Sequence, residues 1–169
     1  NFSNLATPFK SINATIGAPG ARFGASLALL GTRLAIGVPA YVNGANLNSG
    51  AVVYFANYND ATPRATITEN TAELLLGQGL ALGSDGLLVS SPYRTLNGSA
   101  RAGAVDFYRY SALDGGTRTI SFRLQCYQSA ASDAFGWAVG ISGNQVVVGA
   151  RLKSDPENAS GASFMFAKR

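Results

Sequence analysis

Four Asn-x-Ser/Thr triplets are the residues whose type and spacing point most directly to chemistry: Asn1-Phe2-Ser3, Asn13-Ala14-Thr15, Asn97-Gly98-Ser99 and Asn158-Ala159-Ser160. Each sets a side-chain amide two residues before a hydroxyl, the acceptor pattern for an N-linked glycan on an exposed segment. Asn97 and Asn158 fall in polar stretches that read as loop tips. These two are expected to carry glycan, with Asn13 and Asn1 as further acceptors. Catalytic groups are sparse by contrast. There is no histidine, which removes the commonest general base and metal ligand. Cys126 is the single cysteine; with no imidazole to activate it and no partner for an intramolecular disulfide, it reads as a buried thiol in a strand.

The nine carboxylates are Asp60, Glu69, Glu73, Asp85, Asp106, Asp114, Asp133, Asp155 and Glu157. Most sit among turn residues and read as solvated turn-formers. Asp106 lies inside a strand-like run and reads as an edge or outward position, with a buried ion pair as the alternative. A glycosidase needs two carboxylates brought together in space, and no pair stands out here. Neither a Gly-x-Ser-x-Gly elbow nor a phosphate-binding Gly-x-x-x-x-Gly-Lys is present. Gly77-x-Gly79 with Gly83 has the wrong spacing for a dinucleotide loop. No catalytic, cofactor-binding or metal-ligating residue is assigned.

What must position the sequon loops is a phrase that occurs three times. Phe135-Gly136 opens a run to Ser142, a Gly143-Asn144 turn follows, and Gln145 to Ala150 is a second apolar run. Phe23-Gly24 and Leu76-Gly77 open the other two copies, 53 and 59 residues before the next. A third strand follows each copy after a polar loop, opening at Gly50-Ala51, Gly103-Ala104 and Gly161-Ala162. A further run precedes each phrase: Phe9 to Ile16, Ala65 to Thr68, and Thr119 to Tyr127. Repeats of this period point to propellers, solenoids or arrays. β-Branched and aromatic residues fill the runs while Gly, Asn, Asp, Ser and Pro fill the gaps. The expectation is one all-β domain over residues 1–169, built of three four-stranded antiparallel blades with repeats near 9–57, 64–111 and 119–169. Runs such as Val146-Val147-Val148 suit strands covered on both faces.

Composition narrows the class. Hydrophobic residues are 47% and charged residues 13% of the chain, which excludes a disordered protein. The net charge is +4, but the Arg and Lys residues are scattered, unlike the concentrated basic face of a nucleic-acid binder. No apolar run approaches the roughly 20 residues of a membrane helix. The start does not read as a signal peptide, so a secreted protein would be seen here in its processed form.

Phe23-Gly24, Phe135-Gly136, Gly37-Val38-Pro39, Gly149-Ala150 and the Gly-Ala pairs at 50, 103 and 161 resemble the FG-GAP repeat family, the blade motif of the integrin α-chain propeller and of many secreted microbial and algal proteins. The second copy departs from the motif with Leu76-Gly77 and Ser90-Ser91-Pro92, and the third has Arg151 in place of Pro. The resemblance implies propeller-like blades and an extracellular, non-enzymatic protein. The family's Asp-x-Asp-x-Asp-Gly calcium loop is absent: the three turns offer Gly-Thr-Arg, Ser-Asp-Gly and Ser-Gly-Asn, too few oxygen ligands for one ion.

Three function classes follow. The first is an extracellular structural glycoprotein that self-assembles through its β-repeats into a fibre or surface layer. The second is an adhesion module that binds an extracellular protein or glycan through its long loops, and the third is a glycan-active enzyme. Closed propellers have four to eight blades, more than this chain holds. Either three sheets close as a triangle or another copy completes them. The N-terminal strand around Phe9 to Ile16 is expected to complete the last blade, in the same or a neighbouring chain, giving a homo-oligomer or filament joined through terminal strands.

Overall fold

The computed structural model describes residues 8–154 and 159–167. Its first sheet is β1 (Ser26–Leu30), β2 (Arg33–Val38), β3 (Ala51–Phe55) and β4 (Ala65–Thr68), in that order and antiparallel throughout. The second repeats the plan with β5 (Leu80–Leu82), β6 (Gly86–Ser91), β7 (Ala104–Arg109) and β8 (Phe122–Leu124). A single turn of helix, α1 (Tyr110–Asp114), lies between β7 and β8. The third sheet holds β9 (Phe135–Ser142), β10 (Gln145–Ala150) and β11 (Ala162–Ala167). The all-β expectation of three repeated antiparallel sheets is borne out.

Short turns set the registers. Leu30 pairs with Arg33 across Gly31-Thr32, and Ser142 pairs with Gln145 across Gly143-Asn144. Gly31 and Gly143 take φ of 58° and 56°, a conformation that costs glycine little and suits tight hairpins.

The sheets stack in a row. Alternation along each strand gives every sheet an upstream face, toward its N-terminal neighbour, and a downstream face. Val52, Tyr54 and Ile67 on the downstream face of sheet 1 meet Leu80, Leu87 and Val89 on the upstream face of sheet 2. Leu88, Val105 and Phe107 on the downstream face of sheet 2 meet Phe135, Val146 and Val148 of sheet 3. None of the buried clusters joins the first sheet to the third among the described residues. Sheet 2 is therefore covered on both faces, as its continuous apolar runs require. β10 is not: Val147 and Met165 on the downstream face of sheet 3 stand 43% and 71% exposed.

The two ends differ from the expectation of four strands per blade. Sheet 3 has no fourth strand among the described residues, so β11 is an edge. The described part of the N-terminal segment forms no strand and does not complete the last blade within its own chain. Ile12, Ile16 and Phe23 pack instead on Ile36, Val38, Val53 and Phe55, the upstream face of sheet 1. Pro8, Gly17, Pro19 and Gly20 interrupt the segment's alternation, and the apolar face nearest in sequence captures its isoleucines.

A Cβ placed on Gly103 would overlap the backbone amide and carbonyl of Phe135, and Gly103 holds φ 89°. Backbone cannot yield as a flexible side chain does. Gly103→Val should therefore cost about 3 kcal/mol or more, read as a lower midpoint in urea unfolding. Gly98→Ala, at an open loop tip with a similar φ, should cost about 1 kcal/mol.

Candidate functional site

The recurring site is the seam between blades. The loop before each third strand ends in a left-handed residue and, two places on, a glycine of positive φ: Asn48 and Gly50 (φ 49° and 79°), Arg101 and Gly103 (54° and 89°), and Ala159 and Gly161 (54° and 82°). The incoming phrase has the matching form, with Leu75 and Gly77 at 53° and 84° and Ala134 and Gly136 at 54° and 94°. Leu75 N–H donates to Asn48 O at 3.0 Å and Leu76 N–H to Ser49 O at 3.2 Å. In the next seam Ala134 N–H donates to Arg101 O at 3.1 Å and Phe135 N–H to Ala102 O at 3.0 Å. Ser26 Oγ adds a bond to Gly77 O at 2.5 Å. Both sides of a seam are thus backbone surfaces, held in conformations that ordinary residues adopt only under local constraint.

Three ionic clusters brace this frame. Asp106 is fully buried, and Arg123 grips both its oxygens, Nε to Oδ1 at 2.6 Å and Nη2 to Oδ2 at 2.9 Å. Arg94 lies 3.9 Å from the same carboxylate and pairs with Glu69 of the preceding blade. The outward reading of Asp106 is corrected: its strand is central in sheet 2, so its upstream face is interior, and only a cation can keep the carboxylate there. Asp133 and Lys153 form a second buried pair at 3.2 Å, with Lys153 Nζ also donating to Gln128 O at 2.6 Å. At the opposite end Asp114 Oδ1 accepts from Arg33 Nη1 and from the Tyr54 hydroxyl, both at 2.9 Å. Burial acts to raise the Asp114 pKa, but the bonds from Arg33 and Tyr54 outweigh it and hold the carboxyl below its ordinary value. Burial, together with the bond to Asp114, pushes the Tyr54 phenol well above its ordinary value. Asp133, Asp114 and Glu69 are therefore struts rather than solvated turn-formers.

The loops between second and third strands project from one edge. Asn43 and Asn46 exchange backbone bonds across Gly44-Ala45, and Leu96 and Ser99 do so across Asn97-Gly98. Asn97 takes φ 49° at an exposed tip, and Asn13 is exposed on the N-terminal segment. Asn1 and Asn158 lie outside the described residues, as do Asp155 and Glu157. Val42 and Leu47 expose apolar surface on the first loop. A ladder of alternating charge and ring joins the second and third repeats: Arg101 sits over Tyr93 at 4.7 Å, Tyr93 meets Trp137 at 6.1 Å, and Arg151 lies over Trp137 at 3.5 Å. Cys126 is buried, but just past β8 rather than within a strand. No three His, Cys, Asp or Glu side chains converge as a metal site among the described residues.

The sequence reading located the seam glycines and the loop sequons, held a buried ion pair at Asp106 only as its second option without naming a partner, and missed the other ionic clusters. Asp106 and Arg123 are 17 residues apart on neighbouring strands, a pairing that becomes visible only once β7 and β8 are in register. Arg123→Met should cost about 3 kcal/mol, since it strands a buried carboxylate, and Arg123→Met with Asp106→Leu should recover most of that. Urea midpoints of both variants test this. The lowered pKa of Asp114 means that its contribution is fully present above the unfolded carboxylate pKa and is lost as pH falls through the folded value. Asp114→Asn should therefore flatten the acid limb of the stability profile while leaving its slope at neutral pH unchanged.

The family model described as FG-GAP repeat matches residues 124–166. That span runs from the end of β8 through β9, β10 and β11, and so takes in the Phe135-Gly136 phrase and the Gly161 corner. No curated protein matches the chain. No helix of the described residues is long and apolar enough to cross a membrane. The third repeat is thus an FG-GAP repeat by this match, and the same strand order and seam geometry recur in the two preceding sheets.

Proposed function

We propose that this chain is an extracellular, non-enzymatic interaction module, in which stacked blades hold a loop edge out for an extracellular protein or glycan. FG-GAP repeats build modules of adhesion and binding in extracellular and surface proteins, and the match over residues 124–166 brings that expectation to this chain. The observation that carries the reading is where the charges go. Asp106, Asp133 and Asp114 are each bound to a cation of the frame, an arrangement suited to bracing and poorly suited to acid–base exchange with a substrate. The loop edge, by contrast, exposes Val42 and Leu47 and carries Tyr93 under the Arg101 guanidinium. Aromatic and Arg side chains are the common anchors of binding surfaces.

Capture on an array of glycans and extracellular proteins tests this. A ligand should be retained whose affinity falls about tenfold or more in Val42→Asp/Leu47→Asp. Release of sugar from an array glycan, or capture indifferent to the loop variant, would overturn it. The exposed tip at Asn97 is the favoured glycan acceptor, with Asn13 next, and Asn158 and Asn1 remain acceptors by sequence. Material from a secreting host should weigh more than the 17.5 kDa polypeptide, with part of the excess removed by Asn97→Gln. Structural self-assembly is the second reading, favoured by the uncovered end face of sheet 3.

A further inference from the structure

The two seams within the chain fix what each end of a blade is built to meet. On the upstream side, the first strand carries the contact: β5 packs on β1 and β2, and β9 packs on β5, β6 and β7. Leu80 and Leu82 of β5 are 8% exposed each, and Val139 and Ile141 hold the same positions in β9, counted from Leu76 and Phe135. Leu27 and Leu29 are their counterparts in β1, counted from Phe23, and stand 63% and 64% exposed. The N-terminal segment covers the β2 and β3 part of that face and leaves both leucines in solvent.

On the downstream side the third strand and its glycine corner carry the contact. Tyr54 and Phe107 are buried in the two seams, whereas their counterpart Met165 is exposed. The corner itself is open. A Cβ on Gly50 or Gly103 would overlap the next blade's backbone, but one on Gly161 would meet only the chain's own Ala150 and Arg151. Likewise Gly37 lies against Gly77, while nothing but Ala138 approaches Gly149. A hollow of about 460 Å3 bordered by Trp137, Gly149, Arg151 and Gly161 marks the place. The complementary piece exists on the same molecule: Arg22 and Gly24 hold φ 64° and 87°, as the docked phrases do, and nothing lies within 4 Å of a Cβ on Gly24.

We propose that the downstream face of sheet 3 and the upstream face of β1 are two halves of one seam, completed by a second copy of this chain stacked head to tail. The seam is continuous with those inside the chain and uses the same positions, apolar against apolar, with Phe23-Gly24 of one copy seated at the Gly161 corner of the other. The joint runs through β1 and the Phe-Gly phrase rather than through a donated terminal strand, since Ile12 and Ile16 are already engaged on their own sheet. Two copies bring six blades, within the range that closes as a propeller, so two such seams complete a ring instead of an open filament.

Light scattering and sedimentation of the full chain from micromolar to millimolar concentration test the proposal. The expected species is a dimer of twice the 17.5 kDa chain mass. Met165→Lys and Leu29→Lys alter exposed side chains at opposite ends, so each should keep the wild-type urea midpoint when variant and wild type are both diluted below the dimer range, yet weaken dimerisation by about thirtyfold or more. An equimolar mixture of the two should regain a single-seam dimer, because each variant retains the half the other lacks. A monomer throughout the range would overturn the proposal and leave the face to a further repeat of the same polypeptide. A dimer indifferent to both substitutions would overturn it too, and polymers beyond the dimer would overturn ring closure. None of these readouts depends on a ligand at the loop edge, so this inference and the binding function fail separately.

Discussion

In the first two blades the third strand opens where the backbone of the next blade lies against it, and a side chain at that point would occupy the same space. Gly50 and Gly103 are therefore fixed by a neighbour rather than by their own strand. The constraint propagates. A glycine there demands a left-handed residue two places earlier, at Asn48 and Arg101, and the incoming phrase must present Leu75 and Gly77, or Ala134 and Gly136, in the same unusual conformation. Strand spacing, loop path and sheet stacking all follow from making that approach possible. Side-chain packing then fills the space it defines, with Tyr54, Leu87 and Val89 in one seam and Phe107, Phe135 and Val148 in the other.

Charge serves the frame in a different way. A buried carboxylate gains little stability over an apolar residue of similar size, yet it tolerates one arrangement of cations and few others. Asp106 ties β8 to β7 through Arg123 and, through Arg94 and Glu69, ties the second blade to the first. Asp114 links α1 to β2 and β3 through Arg33 and Tyr54. Apolar faces alone could slide along one another; these pairs fix which residue meets which.

The repeat was legible in the sequence because the seam demands glycine, and glycine before Ala or after Phe is visible without coordinates. Strand runs, turns and the sequon loops followed from that register. The ionic pairs were not legible, because Arg123 and Asp106 become neighbours only across a ladder, and Arg94 approaches from a loop. The N-terminal segment misled for a related reason. Phe9 to Ile16 alternates partly like a strand, but alternation cannot say whether an edge is within reach, and a nearby apolar face took Ile12 and Ile16 first. Val146-Val147-Val148 suggested cover on both sides, whereas Val147 looks into solvent from the end of the row. Periodicity records the kind of face a residue occupies, and only the stacking order tells whether that face has a neighbour.

The row arrangement sets an order of events in time. Every strand pairing is between chain-adjacent antiparallel strands, so each blade can assemble as soon as it leaves the ribosome, without waiting for distant sequence. Its third strand, however, is locked only when the following phrase arrives, which makes every blade the template for the one made after it. Stability should then be graded as in other stacked repeats, where each unit leans on its neighbours. The amides of β6 and β7, walled on both sides, would be the last to exchange with solvent, while the first and last strands open independently of them.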